Sequence, residues 1–258
     1  MSTLIITGGR MNEESAMEYL AVRCGRERDD RGDTAAFGFA HIIAVDGGVV
    51  SAERLGLKPD FVVGDFDTLP GERLKCYEQR EDVVIRRFRP GKDDTDTQIA
   101  VELAIELEGG ADAGRAASRE CGKMTDGVRK EGVGTEQGGD VVILGGLGTR
   151  FDHTLANVLL LEKLEAAGLR AVLVDRHNRI SVHSLGFSLS RAEQYGSFVS
   201  FVALTPRVTG ITLTGFKYPL TRYTLRQEDS RCISNELAAE IGTVEFEEGM
   251  LLMVEARD

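Results

Sequence analysis

Short apolar runs alternate with helix-type segments along most of this 258-residue chain before about residue 183. Strand-type runs are predicted at residues 4–7, 41–46, 61–63, 83–88, 141–144 and 170–175. Helices are predicted at residues 11–25, 49–57, 97–108 and 152–167. The third helix has the clearest periodicity, with Ile99, Leu103 and Leu107 on one face. Strands that alternate with helices favour right-handed βαβ units and a mostly parallel sheet.

The pattern changes after about residue 183. Short strand-type runs are separated by turn residues at 197–204, 210–214, 223–225 and 249–256. This spacing is typical of a small antiparallel β domain. The sequence therefore predicts two domains, an α/β domain at residues 1–183 and a β domain at residues 184–258.

The segment 109–140 differs from both predicted domains. Nine of its 32 residues are glycine, none is aromatic, and large apolar side chains are scarce. Because such a segment buries too little surface to offset the entropy of ordering it, we expect a flexible insertion. We interpret its glycines as a source of flexibility rather than as a phosphate-binding loop.

Charge and cysteine usage exclude several function classes. Acidic residues number 42 against 31 basic ones, a net charge of −11, which disfavours nucleic acid as a partner. No apolar run reaches the roughly 18 residues of a membrane-spanning helix, and the first residues lack the pattern of a signal peptide. The four cysteines show no zinc-binding or disulfide spacing; they are Cys24, Cys76, Cys121 and Cys232. We expect a cytoplasmic protein with reduced thiols and no membrane partner.

Three groups of aspartates follow predicted strands of the α/β domain. Asp46 ends one strand, and Asp65 and Asp67 follow the next. The third group, at the mouth of the helix at 97–108, consists of Asp93, Asp94 and Asp96. Ligand sites of open parallel sheets lie at the carboxyl ends of the strands. Carboxylates that converge there need a counter-charge, and Mg²⁺ suits carboxylate and phosphate oxygens.

Each aspartate group also has a simpler explanation. A single aspartate at a strand end is often a turn residue or a helix cap, and Asp96 in particular has the position of an N-cap. The Asp-x-Asp pattern of Asp65 and Asp67 is weak by itself. Their occurrence together at successive strand ends is what favours a metal and phosphate site.

A glycine-rich turn joins the strand at 141–144 to the helix at 152–167. Its sequence runs Gly145-Gly-Leu-Gly-Thr-Arg-Phe-Asp-His153. Such a turn presents backbone N–H groups and a helix N-terminus to anions, and Arg150 adds a guanidinium that pairs with phosphate. Asp152 and His153 open the helix, with Asn157 about one turn further on. His153 could instead cap or pack; the histidines expected to be structural are His41, His177 and His183.

In their order along the chain, these motifs resemble the thiamine pyrophosphokinase (thiamine diphosphokinase) family. The first four motifs are Asp46-Gly-Gly, Pro59-Asp-Phe-Val-Val-Gly-Asp-Phe-Asp-Thr68, Lys92-Asp-Asp-Thr-Asp96 and Gly-Thr-Arg150-Phe-Asp-His153 with Asn157. Two more follow in the β domain, Gly215-Phe-Lys-Tyr-Pro-Leu220 and Ile233-Ser-Asn-Glu236. Six motifs in one order are highly specific, although each alone is ordinary. Thr68 departs from the serine usual in the family but keeps the hydroxyl.

The resemblance implies a fold, a reaction and partners. It implies an N-terminal α/β domain that binds nucleotide and metal, a C-terminal antiparallel β-sandwich that binds thiamine, and a homodimer with active sites shared between subunits. It also implies transfer of a pyrophosphoryl group from ATP to the hydroxyl of thiamine, with Mg²⁺, giving thiamine diphosphate and AMP.

The resemblance also implies roles for individual residues. The acidic metal and phosphate site would consist of Asp46, Asp65, Asp67, Asp93 and Asp96. The nucleotide would be bound by Lys92, Asp93, Thr95, Arg150, Asp152, His153 and Asn157. The catalytic residues would be Asp46, Asp65, Asp67, Asp96 and Arg150. Thiamine would be held by Tyr218, Ser234 and Asn235, with the tyrosine ring able to stack on it.

Two other function classes remain open on the residues alone. A metal-dependent phosphatase or nucleotide-sugar transferase could use the Asp-x-Asp pattern, but it leaves Ser234 and Asn235 without a role. A nucleotide sensor without catalysis could keep the same fold, yet it has less need of so many carboxylates. The sequence does not indicate which carboxylate acts as the base.

Overall fold

The computed structural model describes residues 2–23, 37–69, 71–88, 94–109 and 140–258. Apart from its two end residues, the insertion expected at 109–140 lies outside these ranges, as do Lys92 and Asp93. The described residues divide into two compact units, one ending at Arg176 and the other spanning His177–Asp258. This division precedes the expected boundary at 183/184 because the strand Asn178–His183 pairs with the last strand of the second unit.

Six strands and five helices form the described part of the first unit. The strands are β1 (Ser2–Ile6), β2 (His41–Val45), β3 (Phe61–Gly64), β4 (Val84–Arg87), β5 (Asp140–Leu144) and β6 (Arg170–Val174). The helices are α1 (Glu13–Arg23), α2 (Gly48–Arg54), α3 (Gly71–Glu78), α4 (Asp96–Gly109) and α5 (Phe151–Ala166). The strands lie in the order β4-β3-β2-β1-β5-β6, and all neighbouring pairs are parallel. The predicted parallel α/β fold is confirmed.

Burial explains why the central strands have continuous apolar runs. Leu4, Ile5 and Ile6 of β1 are all fully buried, although successive side chains of a strand point to opposite faces. Both faces of the sheet are therefore covered, as is usual for parallel sheets. Helix α3 is absent from the sequence-based prediction because it is short and buries only Leu74 and Tyr77.

The direction in which strands are added changes at β1. The chain places β2, β3 and β4 on one side of β1, and then crosses over to place β5 and β6 on the other. The carboxyl ends of β1 and β5 therefore form a topological switch point, where open α/β sheets bind ligands. Asp46 follows β2 and Asp65 follows β3, so both lie along the same sheet edge as this switch point.

Two antiparallel sheets form the second unit. Its strands are β7 (Asn178–His183), β8 (Phe187–Ser190), β9 (Phe198–Ala203), β10 (Arg207–Thr214), β11 (Leu220–Arg226), β12 (Ile241–Glu245) and β13 (Leu251–Ala256). Strand β13 lies between β7 and β9, and the other sheet has the order β11-β10-β12-β8. Burial alternates along β9 and β13, which directs one face into a core that includes Phe187, Phe201 and Phe216. The predicted antiparallel β-sandwich is confirmed.

Three strands of the sandwich, β7, β8 and β12, were not predicted from the sequence. Each is short, and β8 presents only Phe187 and Leu189 to the core. Their extended conformation depends on pairing with strands far away in sequence, such as β12 with β8. Period-two patterns of four to six residues are too brief to be recognised reliably without that pairing.

Two expectations from composition concern the thiols and the membrane. Cys76 and Cys232 are free thiols, whereas Cys24 and Cys121 lie outside the described residues. Among the helices of the described ranges, none combines the length and the apolar character needed to cross a bilayer.

Candidate active site

Asp46 is the residue that follows β2, and its backbone is held in an unusual conformation. Its φ of 45° is left-handed, a region that Asp tolerates better than most residues. Its N–H donates to the carbonyl oxygen of Val63 at 2.8 Å. Gly64 permits this approach, because a Cβ there would lie only 3.2 Å from Asp46 Cβ. The pairing of β2 with β3 thus fixes the position of Asp46.

Asp65 and Asp67 bring two more carboxylates to Asp46. One side-chain oxygen from each of the three residues lies within 4.8 Å of the other two. The N–H of Asp67 donates to Asp65 Oδ1 at 3.2 Å, which shapes the loop as an Asx turn. Phe66 lies between them and packs its ring into the core beside the sheet. Three of the predicted metal ligands are therefore brought together.

Only one of the two carboxylate oxygens of Asp46 has a hydrogen-bond partner within the described residues. Thr68 Oγ1 donates a hydrogen bond to Asp46 Oδ2, whereas Oδ1 is buried and has no hydrogen-bond partner within the described residues. Burial raises the pKa of Asp46; the hydrogen bond from Thr68 opposes that rise, and the charges of Asp67 and Asp96 add to it. Clustered carboxylates with an unsatisfied buried oxygen fit a hard divalent cation such as Mg²⁺.

The start of α4 brings a fourth carboxylate, that of Asp96, close enough for its charge to act on Asp46. Thr95 Oγ1 accepts a hydrogen bond from the N–H of Gln98 at 3.2 Å, which is the N-cap arrangement. Thr95, and not Asp96, therefore caps the helix, and Asp96 is its first residue. Asp94 accepts from Gln98 Nε2 at 2.6 Å. The roles of Lys92 and Asp93, which lie outside the described residues, stay predictions.

The turn between β5 and α5 is supported from both of its ends. Gly145 has a φ of 75°, and a Cβ there would lie 2.7 Å from the carbonyl oxygen of Thr7. At the other end, Asn157 is 7% exposed, and its Nδ2 donates to the carbonyl oxygen of Gly146 at 2.9 Å. Asn157 therefore holds the turn from within the helix, although sequence reasoning had assigned it to the nucleotide.

Arg150 and Asp152 form an exposed, bidentate ion pair at the start of α5. Arg150 Nε lies 3.2 Å from Asp152 Oδ1, and Nη2 lies 2.6 Å from Oδ2. The guanidinium lowers the pKa of Asp152 to about 2. Because exposed ion pairs contribute little stability, the guanidinium can exchange this partner for a phosphate. His153 is also exposed beside them.

The sequence predicts a turn at Gly8-Gly9 but gives no indication that the loop at residues 7–9 helps to shape the site. This loop leaves β1 at the switch point, and Thr7 donates through its N–H to the carbonyl oxygen of Leu144 at 2.9 Å. Gly9 closely approaches the opposite turn, since a Cβ there would lie 2.0 Å from the carbonyl oxygen of Gly145. The signal was present as a glycine pair directly after the first strand, but its importance depends on β1 and β5 being neighbours.

The predicted thiamine residues lie together in the second unit. Tyr218 and Asn235 line an open pocket of about 350 Å³, a size that suits a small molecule. Tyr218 is 57% exposed, and Asn235 is only 2% exposed. Ser234, next to Asn235 in the chain, is exposed. Lys217 also lines the pocket, and its charge is paired with Glu236 at 2.7 Å.

Comparison with known protein families matches both units of the chain. Residues 38–173 match the model described as thiamin pyrophosphokinase, catalytic domain. Residues 186–251 match the model described as thiamin pyrophosphokinase, vitamin B1 binding domain. A curated relative from Bacillus subtilis (strain 168), thiamine pyrophosphokinase, is 28% identical over 216 residues, which cover 84% of this chain and 87% of that protein.

Solved structures with a similar fold include three thiamin pyrophosphokinases. The thiamin pyrophosphokinase from Geobacillus thermodenitrificans has a TM-score of 0.69 at 27% identity, with 100% of this chain and 98% of that chain covered. The thiamine pyrophosphokinase from Bacillus subtilis has a TM-score of 0.72 at 24% identity, with both chains fully covered. The yeast thiamin pyrophosphokinase has a TM-score of 0.68 at 16% identity, with 99% and 86% covered. The last two show likeness of fold.

Proposed function

The chain belongs to the thiamin pyrophosphokinase family and is an enzyme of that type, a thiamine diphosphokinase; on that premise we propose the course of its reaction. It transfers an intact pyrophosphoryl group from ATP to the hydroxyl of thiamine and releases AMP. The observation that carries this proposal is the carboxylate cluster of Asp46, Asp65 and Asp67, located beside the switch point of the parallel sheet.

Magnesium is the cation that this cluster fits best. Asp46, Asp65 and Asp67 would hold it, and Asp96 would add negative charge to the site. When bound, Mg²⁺ would neutralise charge on the phosphates of ATP and on the group being transferred. The buried Oδ1 of Asp46, which lacks a hydrogen-bond partner within the described residues, supports this assignment.

The chain itself binds and orients the substrates. The turn after β5 offers backbone N–H groups to phosphate oxygens, and Arg150 offers its guanidinium. The hydroxyl oxygen of thiamine attacks the β-phosphorus of ATP. The bond from that phosphorus to the α,β-bridging oxygen breaks, and AMP leaves with that oxygen. One of the aspartates accepts the hydroxyl proton.

A product assay separates this proposal from its alternatives. The protein is incubated with ATP, Mg²⁺ and thiamine, and AMP and thiamine diphosphate are quantified. Equal amounts of both products support the proposal. Inorganic phosphate released without thiamine would indicate a phosphatase, and consumption of a nucleotide sugar would indicate a transferase of that class. Binding of ATP with no turnover of any substrate would indicate a sensor.

Substitution of the cluster tests the carboxylates. Asp65→Asn and Asp67→Asn should each lower kcat by at least about a hundredfold, the scale of losing an important electrostatic group. Asp82→Asn is the matched control, because Asp82 is exposed and pairs only with Arg80 among the described contacts. Near-normal kcat in both cluster variants, with the Asp82 control also normal, would remove the two aspartates from the site.

From the cysteine usage we also propose a cytoplasmic protein, and from the family resemblance alone we propose a homodimer with shared active sites. In that case, Asp67→Asn chains with impaired turnover and Asn235→Ala chains with impaired thiamine binding should complement each other when assayed at a thiamine concentration below the wild-type KM. Differently tagged chains would be coexpressed, purified as heterodimers and assayed for thiamine diphosphate. Activity near half that of wild type supports shared sites. Heterodimers that are no more active than their parent homodimers would show that each site is built within one chain.

A further inference from the structure

We propose that Asn235 is a positioning residue, which serves thiamine recognition by holding the main chain of Tyr218 rather than by contacting thiamine. This inference rests on the proposed function, because thiamine is taken as the ligand of the second unit. It changes the role implied by the family resemblance, in which Asn235 and Ser234 both hold the substrate directly.

The side-chain amide of Asn235 forms hydrogen bonds with both the N–H and the carbonyl oxygen of Tyr218. Its Oδ1 accepts the N–H of Tyr218 at 3.0 Å, and its Nδ2 donates to the carbonyl oxygen of Tyr218 at 2.9 Å. Oδ1 also accepts the N–H of Glu236 at 2.9 Å. This network fixes the amide orientation, since the reverse would direct an NH₂ group at two N–H donors.

The Asn235 amide has little capacity left for a ligand. An amide oxygen has two lone pairs, and both are used by the N–H groups of Tyr218 and Glu236. The residue is 2% exposed. A donor group of thiamine would therefore have to displace a bond to the main chain before it reached Oδ1, and only the second N–H of Nδ2 stays open to an acceptor.

Asn235 is itself anchored to the sandwich. Its N–H donates to the carbonyl oxygen of Val199 at 3.0 Å, and its carbonyl oxygen accepts the N–H of Val199 at 2.8 Å. Val199 is a fully buried residue of β9. The main chain of Tyr218 is thereby linked through Asn235 to a strand of the core. Such a strand is the rigid support that a binding residue needs.

The consequence is that an aromatic ring is presented to the pocket. Tyr218 is 57% exposed, an unfavourable placement for an aromatic residue that has no ligand to cover it. The adjacent Lys217 has its N–H bonded to the carbonyl oxygen of Glu236 at 2.8 Å. Both residues of this short segment are therefore tied to the segment that contains Asn235.

Ser234 provides the contrast. Its N–H donates to Ser200 Oγ at 2.9 Å, and its φ of 56° turns the chain at this point. Its side chain is exposed, and within the described residues its hydroxyl has no hydrogen-bond partner. Ser234 therefore remains available for direct contact, and it serves as the matched control.

A double-mutant cycle on the KM for thiamine tests the proposal. Tyr218→Ala and Asn235→Ala should each raise this KM by about tenfold, as expected for the loss of one aromatic contact. Because both act through the same ring, the double variant should be no more than about twofold worse than Tyr218→Ala. Ser234→Ala should instead multiply its effect with that of Tyr218→Ala. Multiplying effects of Asn235→Ala and Tyr218→Ala would overturn the proposal.

A second measurement needs no substrate. The chain contains no tryptophan, so Tyr218→Trp introduces a single tryptophan at the ring position, which can be excited apart from the remaining tyrosines. Adding Asn235→Ala should lower its fluorescence anisotropy, whereas adding Ser234→Ala should leave it unchanged. Asn235→Asp, which keeps the acceptor oxygen and the volume, provides an intermediate case if the alanine variant does not fold. Equal anisotropy with and without the Asn235 substitutions would overturn the proposal that Asn235 holds Tyr218. This outcome does not depend on whether thiamine is the substrate.

Discussion

The most constrained residue of the candidate site is Asp46, whose carboxylate is partly buried among like charges. Its raised pKa shows that the folded protein disfavours the charged form, first because of burial and also because of Asp67 and Asp96. A charge kept at such a cost is a common property of functional sites. Without a cation, the cluster lowers the stability of the fold, and cation binding relieves the repulsion.

Replacing Asp46 by asparagine should therefore stabilise the metal-free protein. At pH 7 without Mg²⁺, Asp46→Asn should raise Tm by about 1–3 °C, and Asn also tolerates the left-handed φ of this position. The added Tm increase caused by Mg²⁺ should be lost, together with activity. Thermal scans with and without Mg²⁺ measure both effects. A metal-free Tm well below that of wild type would contradict this account.

The same group predicts a pH dependence with a definite sign. The ordinary carboxyl pKa is 3.8, and the folded value lies above it. Between the two values the folded state binds more protons than the unfolded state, so this group's contribution to stability falls as pH rises. The stability difference between Asp46→Asn and wild type should be greatest near neutral pH and should vanish below about pH 4. Tm measured against pH for both proteins checks this.

Thr68 should control how well Asp46 binds a cation. The Thr68 hydroxyl occupies Asp46 Oδ2 and leaves Oδ1 for a ligand. Thr68→Val keeps the shape but removes this donor, and should weaken Mn²⁺ or Mg²⁺ binding by about 10-fold or more, as for other groups that orient metal ligands. Thr68→Ser should restore binding. Calorimetry with the metal alone gives the affinities, and equal affinities for all three proteins would argue against a positioning role.

At the scale of elements, the turn between β5 and α5 is shaped by its contact with the loop after β1. Gly145 has a left-handed φ, and its Cα faces the carbonyl oxygen of Thr7. Gly168, just after α5, has a similar φ of 78° but nothing within 4 Å of the position of a Cβ. Comparing substitutions at these two glycines therefore distinguishes the effect of backbone strain, which both share, from the effect of close packing, which only Gly145 has.

Gly145→Ala should be more damaging than Gly168→Ala. Both substitutions incur a left-handed strain of about 1–2 kcal/mol, but Gly145→Ala also forces the two loops apart, which costs about 1–3 kcal/mol more. It should raise the KM for ATP as well, whereas Gly168→Ala should leave that KM unchanged. Denaturant unfolding and ATP kinetics provide the two measurements. Equal losses of stability would show that the loops can yield without strain.

At the scale of the whole molecule, each unit has its own core and its own response to acid. The first unit contains Asp46. Because its pKa is raised, its contribution to the stability of the fold is more favourable at low pH. The second unit contains His183, which stacks on Phe187 at 3.8 Å and lies 2.8 Å from Ser181 Oγ through Nε2. Burial lowers the pKa of His183 from 6.5 to about 4.

Acid should therefore weaken the second unit through His183. Between pH 6.5 and about 4 the unfolded chain binds the proton more readily, so stability is lost as pH falls, on the order of 2 kcal/mol. His183→Phe keeps an aromatic ring against Phe187 and should flatten this pH dependence. His177→Gln, at an exposed position, is the control. Hydrogen exchange of peptides from the second unit at pH 7 and pH 5 measures the effect; equal pH dependence in His183→Phe and wild type would exclude His183.

Local sequence patterns are sufficient to predict the class of both units and the order of their motifs. The change from strand–helix alternation to short strands after about residue 183 is a local pattern, and local patterns follow directly from backbone geometry. The placement of Asp46, Asp65 and Asp67 at strand ends was readable for the same reason, because each follows an apolar run and adjoins a glycine or a turn. Parallel pairing then requires such residues to share one edge of the sheet.

The contacts of each polar side chain, by contrast, depend on the three-dimensional fold. Asn157 and Asn235 are predicted from the sequence to bind ligands, and the structure adds that their amides donate hydrogen bonds to the main chain at Gly146 and Tyr218. The raised pKa of Asp46 depends first on its burial and then on the charges of Asp67 and Asp96, and the role of the loop at residues 7–9 depends on β1 lying next to β5. Solvation, charge interactions and hydrogen bonds depend on distances between atoms that the fold brings together, and a linear pattern does not contain those distances.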